Sequence, residues 1–182
     1  MRTEVHIHGA VPMRHGVTQA QIEAALKPWL DYIDEDSIAD ARSTYEDEPG
    51  VAYDGKQRLL EMCWTGDVGR NFREHIETAL QSLNPYTEQA AEIEVTYYHE
   101  DGQDEYGVVF VGPTAEAIHE AQRLAMVEDV TQLLGRQFAE AEVGEVVALV
   151  NQLFSRITPG SKREVTPTVQ PALTPASRRR LH

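Results

Sequence analysis

The sequence predicts an α+β fold in which an antiparallel sheet carries helices packed on one face. Residues 91–98 alternate between apolar and polar side chains, and an apolar run at 106–111 follows them after an Asp-Gly turn. This pattern is typical of a β-hairpin. Helical patterns precede and follow the hairpin. The resulting order of strand, helix, strands, helix, strands and helices is compatible with a ferredoxin-like sheet.

The first strand and the first helix are indicated by the period of their apolar residues. Residues 3–9 alternate as in a half-buried strand. Thr18 and Gln21 have the spacing of a capping box, in which each side chain satisfies a backbone donor at the start of a helix. Apolar residues then recur at helical spacing as far as Ile33. Pro28 lies inside this pattern and predicts a kink or a restart of the helix.

The next segments predict a hairpin followed by a second helix. Residues 39–46 are a candidate edge strand, although their periodicity is poor. The Asp-Gly pair at 54–55 predicts a tight turn that leads into a strand over roughly 57–64. Residues 72–83 place their apolar side chains on one helical face, and the Asn-Pro pair at 84–85 ends that helix.

The third helix is expected to begin after Thr114, which is a suitable N-cap. Residues 142–157 form the clearest amphipathic helix, and Gly135 and Gly144 leave open whether it continues the third. Its apolar stripe suits either the core or a contact between subunits. We expect a homodimer or small oligomer in which this stripe takes part, through Val143, Val146, Val147, Val150, Leu153, Phe154 and Ile157.

The chain is expected to contain one acidic domain, residues 1–157, and a basic tail, residues 158–182. The whole chain has a net charge of −14, but residues 159–182 carry +4 and residues 1–158 carry −18. The tail is rich in proline and threonine, and we expect it to be disordered, since it cannot bury enough apolar surface to offset its ordering entropy.

These charges and the rest of the composition exclude several classes of protein. A body this negative repels nucleic acid and anionic lipid, so we expect it to bind neither directly. The first residues lack the apolar stretch of a signal peptide, and no run approaches the ~20 apolar residues of a membrane span. With a single cysteine there is no intramolecular disulfide, and a reducing, cytoplasmic setting is the default expectation.

The acidic surface leads to the first functional hypothesis, a non-enzymatic inhibitor, adaptor or accessory protein that binds a basic protein partner. Residues 31–48 hold eight carboxylates against Arg42. Clustered carboxylates can imitate nucleic-acid phosphates and occupy a basic groove of another protein. The predicted contact residues are Asp34, Glu35, Asp36, Asp40, Glu46, Asp47, Glu48, Glu100, Asp101, Asp104 and Glu105.

The alternative hypothesis is a small metal-binding or anion-binding protein, or an enzyme, that uses the open face of the sheet. His6 and His8 are two residues apart on a strand, so their imidazoles emerge on the same face. With His15 they could supply nitrogen ligands to zinc, although no third ligand stands at a recognisable spacing. Arg70 and Arg73 follow a glycine-containing turn at a predicted helix N-terminus, which attracts anions.

The chain carries no motif that specifies a reaction or a cofactor. It has no Gly-x-Ser-x-Gly elbow, no His-Glu-x-x-His pair and no complete phosphate-binding loop. Cys63 stands between Met62 and Trp64, and we expect a buried, inert thiol rather than a nucleophile. The sequence therefore favours the interaction protein over the enzyme and predicts no cofactor and no metal.

Overall fold

A computed structural model of the protein describes residues 3–99 and 102–160. It contains five strands, four α-helices and one short 3-10 turn at Asn84–Tyr86 within this part of the chain. The strands are β1 Thr3–Pro12, β2 Gly50–Asp54, β3 Leu59–Val68, β4 Ala91–Tyr98 and β5 Glu105–Val111. The helices are α1 Gln19–Tyr32, α2 Phe72–Ser82, α3 Ala115–Leu134 and α4 Glu140–Ser155.

The five strands form one sheet in the order β2-β3-β1-β4-β5, and every pair of neighbours is antiparallel. The β1–α1–β2–β3–α2–β4 portion has the element order of the ferredoxin-like plan. The strand β5 extends this sheet beyond β4 as the second arm of a hairpin. The predicted α+β fold with an antiparallel sheet is therefore confirmed.

The main core lies between one face of the sheet and the helices α1 and α2. Ile7 at the centre of β1 is fully buried, as is Trp29 on α1. Trp64 of β3 meets Trp29 edge-on at 5.4 Å between ring centroids and stacks on Phe72 of α2 at 6.2 Å. Aromatic pairs in these arrangements add about 0.5–1.5 kcal/mol beyond their buried area. The odd-numbered residues of β1, including Ile7, face this core, so its even-numbered residues face the opposite side of the sheet.

The structure confirms several details of the predicted elements and differs in two. Thr18 and Gln21 form the predicted capping box, and Thr114 caps α3 by accepting a hydrogen bond from the Ala117 amide. The helix α1 continues through Pro28 as a single element, without the expected restart. Residues 39–46 form no strand, because this acidic segment lies in the loop between α1 and β2 and lacks the alternation that would bury one side.

The helices α3 and α4 are separate and form a hairpin beside β4 and β5. His119 Nε2 lies 3.1 Å from the carbonyl oxygen of Phe154, and Arg123 donates to the side chain of Asn151. No residue of α3 is buried, and Leu124 and Leu133 are about half exposed. This hairpin thus lacks the sealed packing of α1 and α2.

None of the helices within residues 3–99 and 102–160 has the length and apolar character that crossing a membrane requires. The boundary predicted between the domain and its tail, at residue 157, lies two residues after the end of α4 at Ser155. Residues 158–160 are the part of the predicted tail that the structure describes. The remainder of the predicted tail lies outside the described residues.

Candidate functional site

Three side chains with metal-ligating atoms meet on the open face of the sheet, opposite the main core. His8 of β1 is paired with Cys63 of β3, and His6 lies two residues before His8 on the same face. One ligand atom from each of the three lies within 4.8 Å of the other two. The two imidazole rings are nearly parallel, with centroids 6.1 Å apart. Antiparallel pairing thus joins residues that are 55 positions apart in the chain.

A chain of hydrogen bonds orients the first of these imidazoles. His6 Nδ1 lies 2.8 Å from the hydroxyl oxygen of Thr65, and that hydroxyl donates to Glu48 Oε1 at 3.1 Å. The Glu48 carboxylate also lies 3.5 Å from His6 Nδ1. Because the single hydroxyl proton points to Glu48, the threonine oxygen accepts from His6, which places the imidazole proton on Nδ1. The lone pair of Nε2 is then available to a metal ion.

The loop that carries Glu48 is tied to β3 by several contacts. Ser43 donates to Glu48 Oε2 at 2.5 Å and accepts from the backbone amide of Thr65 at 3.0 Å. The indole of Trp64 donates to the carbonyl oxygen of Arg42 at 3.0 Å. Thr65 is 2 % exposed, so its polar groups depend on these partners. The carboxylate is therefore held in place beside the histidine and does not extend freely into solvent.

Cys63 lies on this open face and is half-buried. The sequence predicted a buried thiol, and the burial is only partial, because the core side chains of β3 are the neighbours Met62 and Trp64, whereas Cys63 alternates with them. Burial raises the pKa of the Cys63 thiol, and the carboxylates of Glu48 and Asp47 raise it further. A metal ion that bound here would have to displace the thiol proton.

The donor set resembles those of zinc sites in chemistry more than in spacing. Zinc takes histidine nitrogen at about 2.0–2.1 Å and cysteine sulfur at about 2.3 Å, so tetrahedral ligands lie about 3.5 Å apart. The three donor atoms lie within 4.8 Å of one another, so the distances between them would shorten by up to about 1 Å when they bind such an ion. Three protein ligands also leave one position open to water or another ligand.

The other predicted ligand-binding residues do not join this cluster. His15 lies in the loop beyond β1 and is not one of the three converging donors. Arg70 precedes α2, and Arg73 lies on it, so both belong to the helix-covered side of the sheet. Arg73 forms an ion pair with Glu105 and lies 4.7 Å above the ring of Tyr97. The structure therefore separates the two arginines from His6 and His8.

Two histidines on helices, His75 and His119, also lie away from the open-face cluster. His75 Nδ1 lies 3.2 Å from the carbonyl oxygen of Pro28, between α1 and α2. His119 lies between α3 and α4. Each is thus part of a helix-helix contact, and neither reaches the open-face cluster.

The predicted partner-binding carboxylates fall into two loops. One set lies between α1 and β2 and comprises Asp34, Glu35, Asp36, Asp40, Glu46, Asp47 and Glu48. Of these, Asp40 accepts from Ser37, and Glu48 turns towards His6. Near the start of β5, Asp104 accepts from the amide of His99, and Glu105 pairs with Arg73. Glu100 and Asp101 lie outside the described residues.

The apolar stripe of α4 is only partly covered. Val143 is buried, and Val146 and Leu153 are exposed. The others are half-buried, namely Val147, Val150, Phe154 and Ile157. Several of these side chains border a cavity of about 1300 Å³ that lies between the α3–α4 hairpin and the outer part of the sheet. Self-association through this stripe stays a prediction.

That cavity reaches to the edge of the histidine cluster. Glu94 of β4 lines it and is paired with His8 across the β1–β4 ladder. Directly opposed residues of an antiparallel pair have Cβ atoms about 4.5–5.5 Å apart. The two features therefore share a border on the open face.

The sequence of residues 3–155 matches the family model of DUF6806, a protein family of unknown function. No curated protein matches the chain, and neither does any solved structure. The match covers the whole sheet and all four helices.

Proposed function

We propose that this chain, which belongs to the DUF6806 family of unknown function, binds a divalent transition metal ion on the open face of its sheet. The observation that carries the proposal is the convergence of His6, His8 and Cys63, with ligand atoms within 4.8 Å of one another. Imidazole and thiolate together suit zinc and its neighbours in the transition series, whereas calcium and magnesium prefer oxygen.

The residues around the donors support the same function. Histidine ligands of metal ions usually donate their second ring N–H to a carboxylate, a carbonyl or a water molecule. His6 makes this kind of contact through Thr65, with Glu48 behind it. The carboxylate also supplies negative charge next to a cation. The three ligands lie on two adjacent central strands, which are rigid supports for a metal site.

The proposal is tested by titrating the metal-free protein with Zn²⁺ in a calorimeter and with Co²⁺ in a spectrophotometer. We expect one ion per chain and, with Co²⁺, a thiolate charge-transfer band. His8→Ala should weaken binding more than the about 10–100-fold expected when a residue that only orients a ligand is lost. Cys63→Ser should abolish the thiolate band.

His15→Ala is the matched control, because it removes an exposed histidine outside the cluster. It should leave both the stoichiometry and the affinity unchanged. Equal affinities for wild type, His8→Ala and His15→Ala would show that the three donors do not act as one site.

Binding of a basic protein partner through the acidic loop between α1 and β2 is the second candidate function. One observation favours it. Within the described part of the chain, Asp34, Asp36, Glu46 and Asp47 are exposed and form no ion pair. Their charges are thus available to a positive surface, and such complementarity chiefly accelerates association.

A further inference from the structure

The cavity beside the α3–α4 hairpin has the charge and the apolar surface of a peptide-binding groove. Five carboxylates line it, and no lysine or arginine does so among the residues that the structure describes. None of the five forms an ion pair within that same part of the chain. These carboxylates belong to Glu77, Glu92, Glu94, Glu128 and Asp129.

Apolar side chains lie between these carboxylates. Val108 of β5, Met126 of α3 and Leu153 of α4 line the cavity, and each is more than a third exposed. No residue of α3 is buried. Large apolar side chains grouped in this way on two helices and a strand indicate a binding surface rather than scattered surface residues.

The chain itself carries a segment of complementary chemistry next to this cavity. Gly160, the last described residue, lines the cavity and lies close to Ala115 at the start of α3. Residues 161–182 contain five basic residues and a single acidic one, Glu164. They also contain apolar side chains at Val165, Val169 and Leu173.

We propose that residues 161–182 dock into this cavity of the same chain, with their basic side chains against its carboxylates. Docking in the same chain is favoured because the segment is tethered at the rim of the cavity, which gives it a high effective concentration there. A second copy of the chain would instead bring an acidic body against an acidic groove.

The length of the segment suits this arrangement. The 20 residues of α3, which runs beside the cavity, span about 30 Å at the helical rise of about 1.5 Å per residue. A chain of 22 residues can span at most about 70–80 Å when fully extended, which is more than twice the length of this helix. Glu128 and Asp129 lie about 20 Å along α3 from Ala115, so the three consecutive arginines at 178–180 can reach them from Gly160.

The test uses the full chain with a nitroxide spin label at Ser177→Cys, in a Cys63→Ser background so that only the new thiol is labelled. Paramagnetic broadening of backbone amide signals is measured in the ¹⁵N-labelled protein. We expect strong broadening for residues 106–110 and 125–132, which border the cavity, and none for α1. The measurement needs no bound metal, so its result is independent of the proposed metal site.

A double substitution separates electrostatic docking from chance proximity. Glu128→Lys with Asp129→Lys should abolish the broadening. Glu140→Lys with Glu145→Lys makes the same change of charge on α4 outside the cavity and should preserve it. Raising the salt concentration to about 1 M, where the Debye length falls to about 3 Å, should weaken the broadening strongly.

A mixed sample identifies the occupant. Spin-labelled ¹⁴N protein is added to unlabelled ¹⁵N protein, so that any broadening reports contacts between chains. Docking in the same chain predicts broadening in the singly prepared sample and none in the mixture. Equal broadening in the mixture would overturn the proposal, because a second copy of the chain would then supply the segment. The absence of broadening in both samples would overturn it as well.

Discussion

Thr65→Val isolates the hydrogen-bond chain that orients His6, because valine keeps the shape of threonine and removes only the hydroxyl. That hydroxyl makes two bonds, at 2.8 Å to His6 and at 3.1 Å to Glu48. A neutral hydrogen bond contributes about 0.5–1.5 kcal/mol, and one to a charged group about 1.5–3 kcal/mol. The side chains of His6 and Glu48 keep 24 % and 19 % of their surface exposed, so water replaces part of what is lost. We therefore expect the free energy of unfolding to fall by about 1–3 kcal/mol.

The same substitution should also weaken Zn²⁺ binding by about 10–100-fold, because the residue at position 65 then has no hydroxyl to fix the imidazole proton of His6 on Nδ1. Urea unfolding measures the stability, and calorimetry measures the affinity. Thr65→Ser is the control, since it keeps the hydroxyl and loses a methyl group, and its affinity should remain near that of the wild type. If Thr65→Val destabilises the fold yet binds Zn²⁺ as tightly as Thr65→Ser, the hydrogen-bond chain has no role in metal binding.

Two glycines should respond in opposite ways to alanine. At Gly66 a new Cβ would clash with the ring of Trp64, so we expect Gly66→Ala to cost about 1–3 kcal/mol in chemical unfolding and to change the near-ultraviolet circular dichroism. Gly144 is exposed on α4, and no atom of the described residues lies within 4 Å of a Cβ added there, so alanine should stabilise the protein by about 0.5–1 kcal/mol in the same assay. If a basic partner binds the acidic loop, replacing Asp34, Glu35 and Asp36 by their amides should lower the association rate constant more than it raises the dissociation rate constant, both measured by stopped flow. An unchanged association rate constant would argue that this loop is not the binding surface.

The elements of the fold were largely predictable, because each depends on a local pattern. Alternation predicted β1 and β4, the spacing of apolar residues predicted α2, and Thr18 and Thr114 marked the starts of two helices. Of the kink or restart predicted at Pro28, the restart does not occur, since packing of α1 against α2 and of Trp29 against Trp64 maintains a helix that local propensity would interrupt.

The candidate site could be predicted only in part. The shared face of His6 and His8 follows from the period of a strand. The position of Cys63 was also available, since Met62 and Trp64 are the large apolar residues of β3 and their neighbour must face the other way. Its meeting with His8, and the approach of Glu48, depend on strand order and loop path, which no local pattern specifies.

The central place of β1 in the sheet constrains when the protein can fold. Ile7 pairs with Trp64 on one side and with Val95 on the other, although β1 is synthesised before both neighbouring strands. At about 5–20 residues per second, its second neighbour is synthesised roughly 5–20 s later. Until then the nascent strand has no β4 to pair with, and contacts of such long sequence separation form slowly. His6 and His8 lie on this strand and Cys63 lies on β3, so the histidine–cysteine cluster cannot assemble until β3 has been synthesised and has paired with β1.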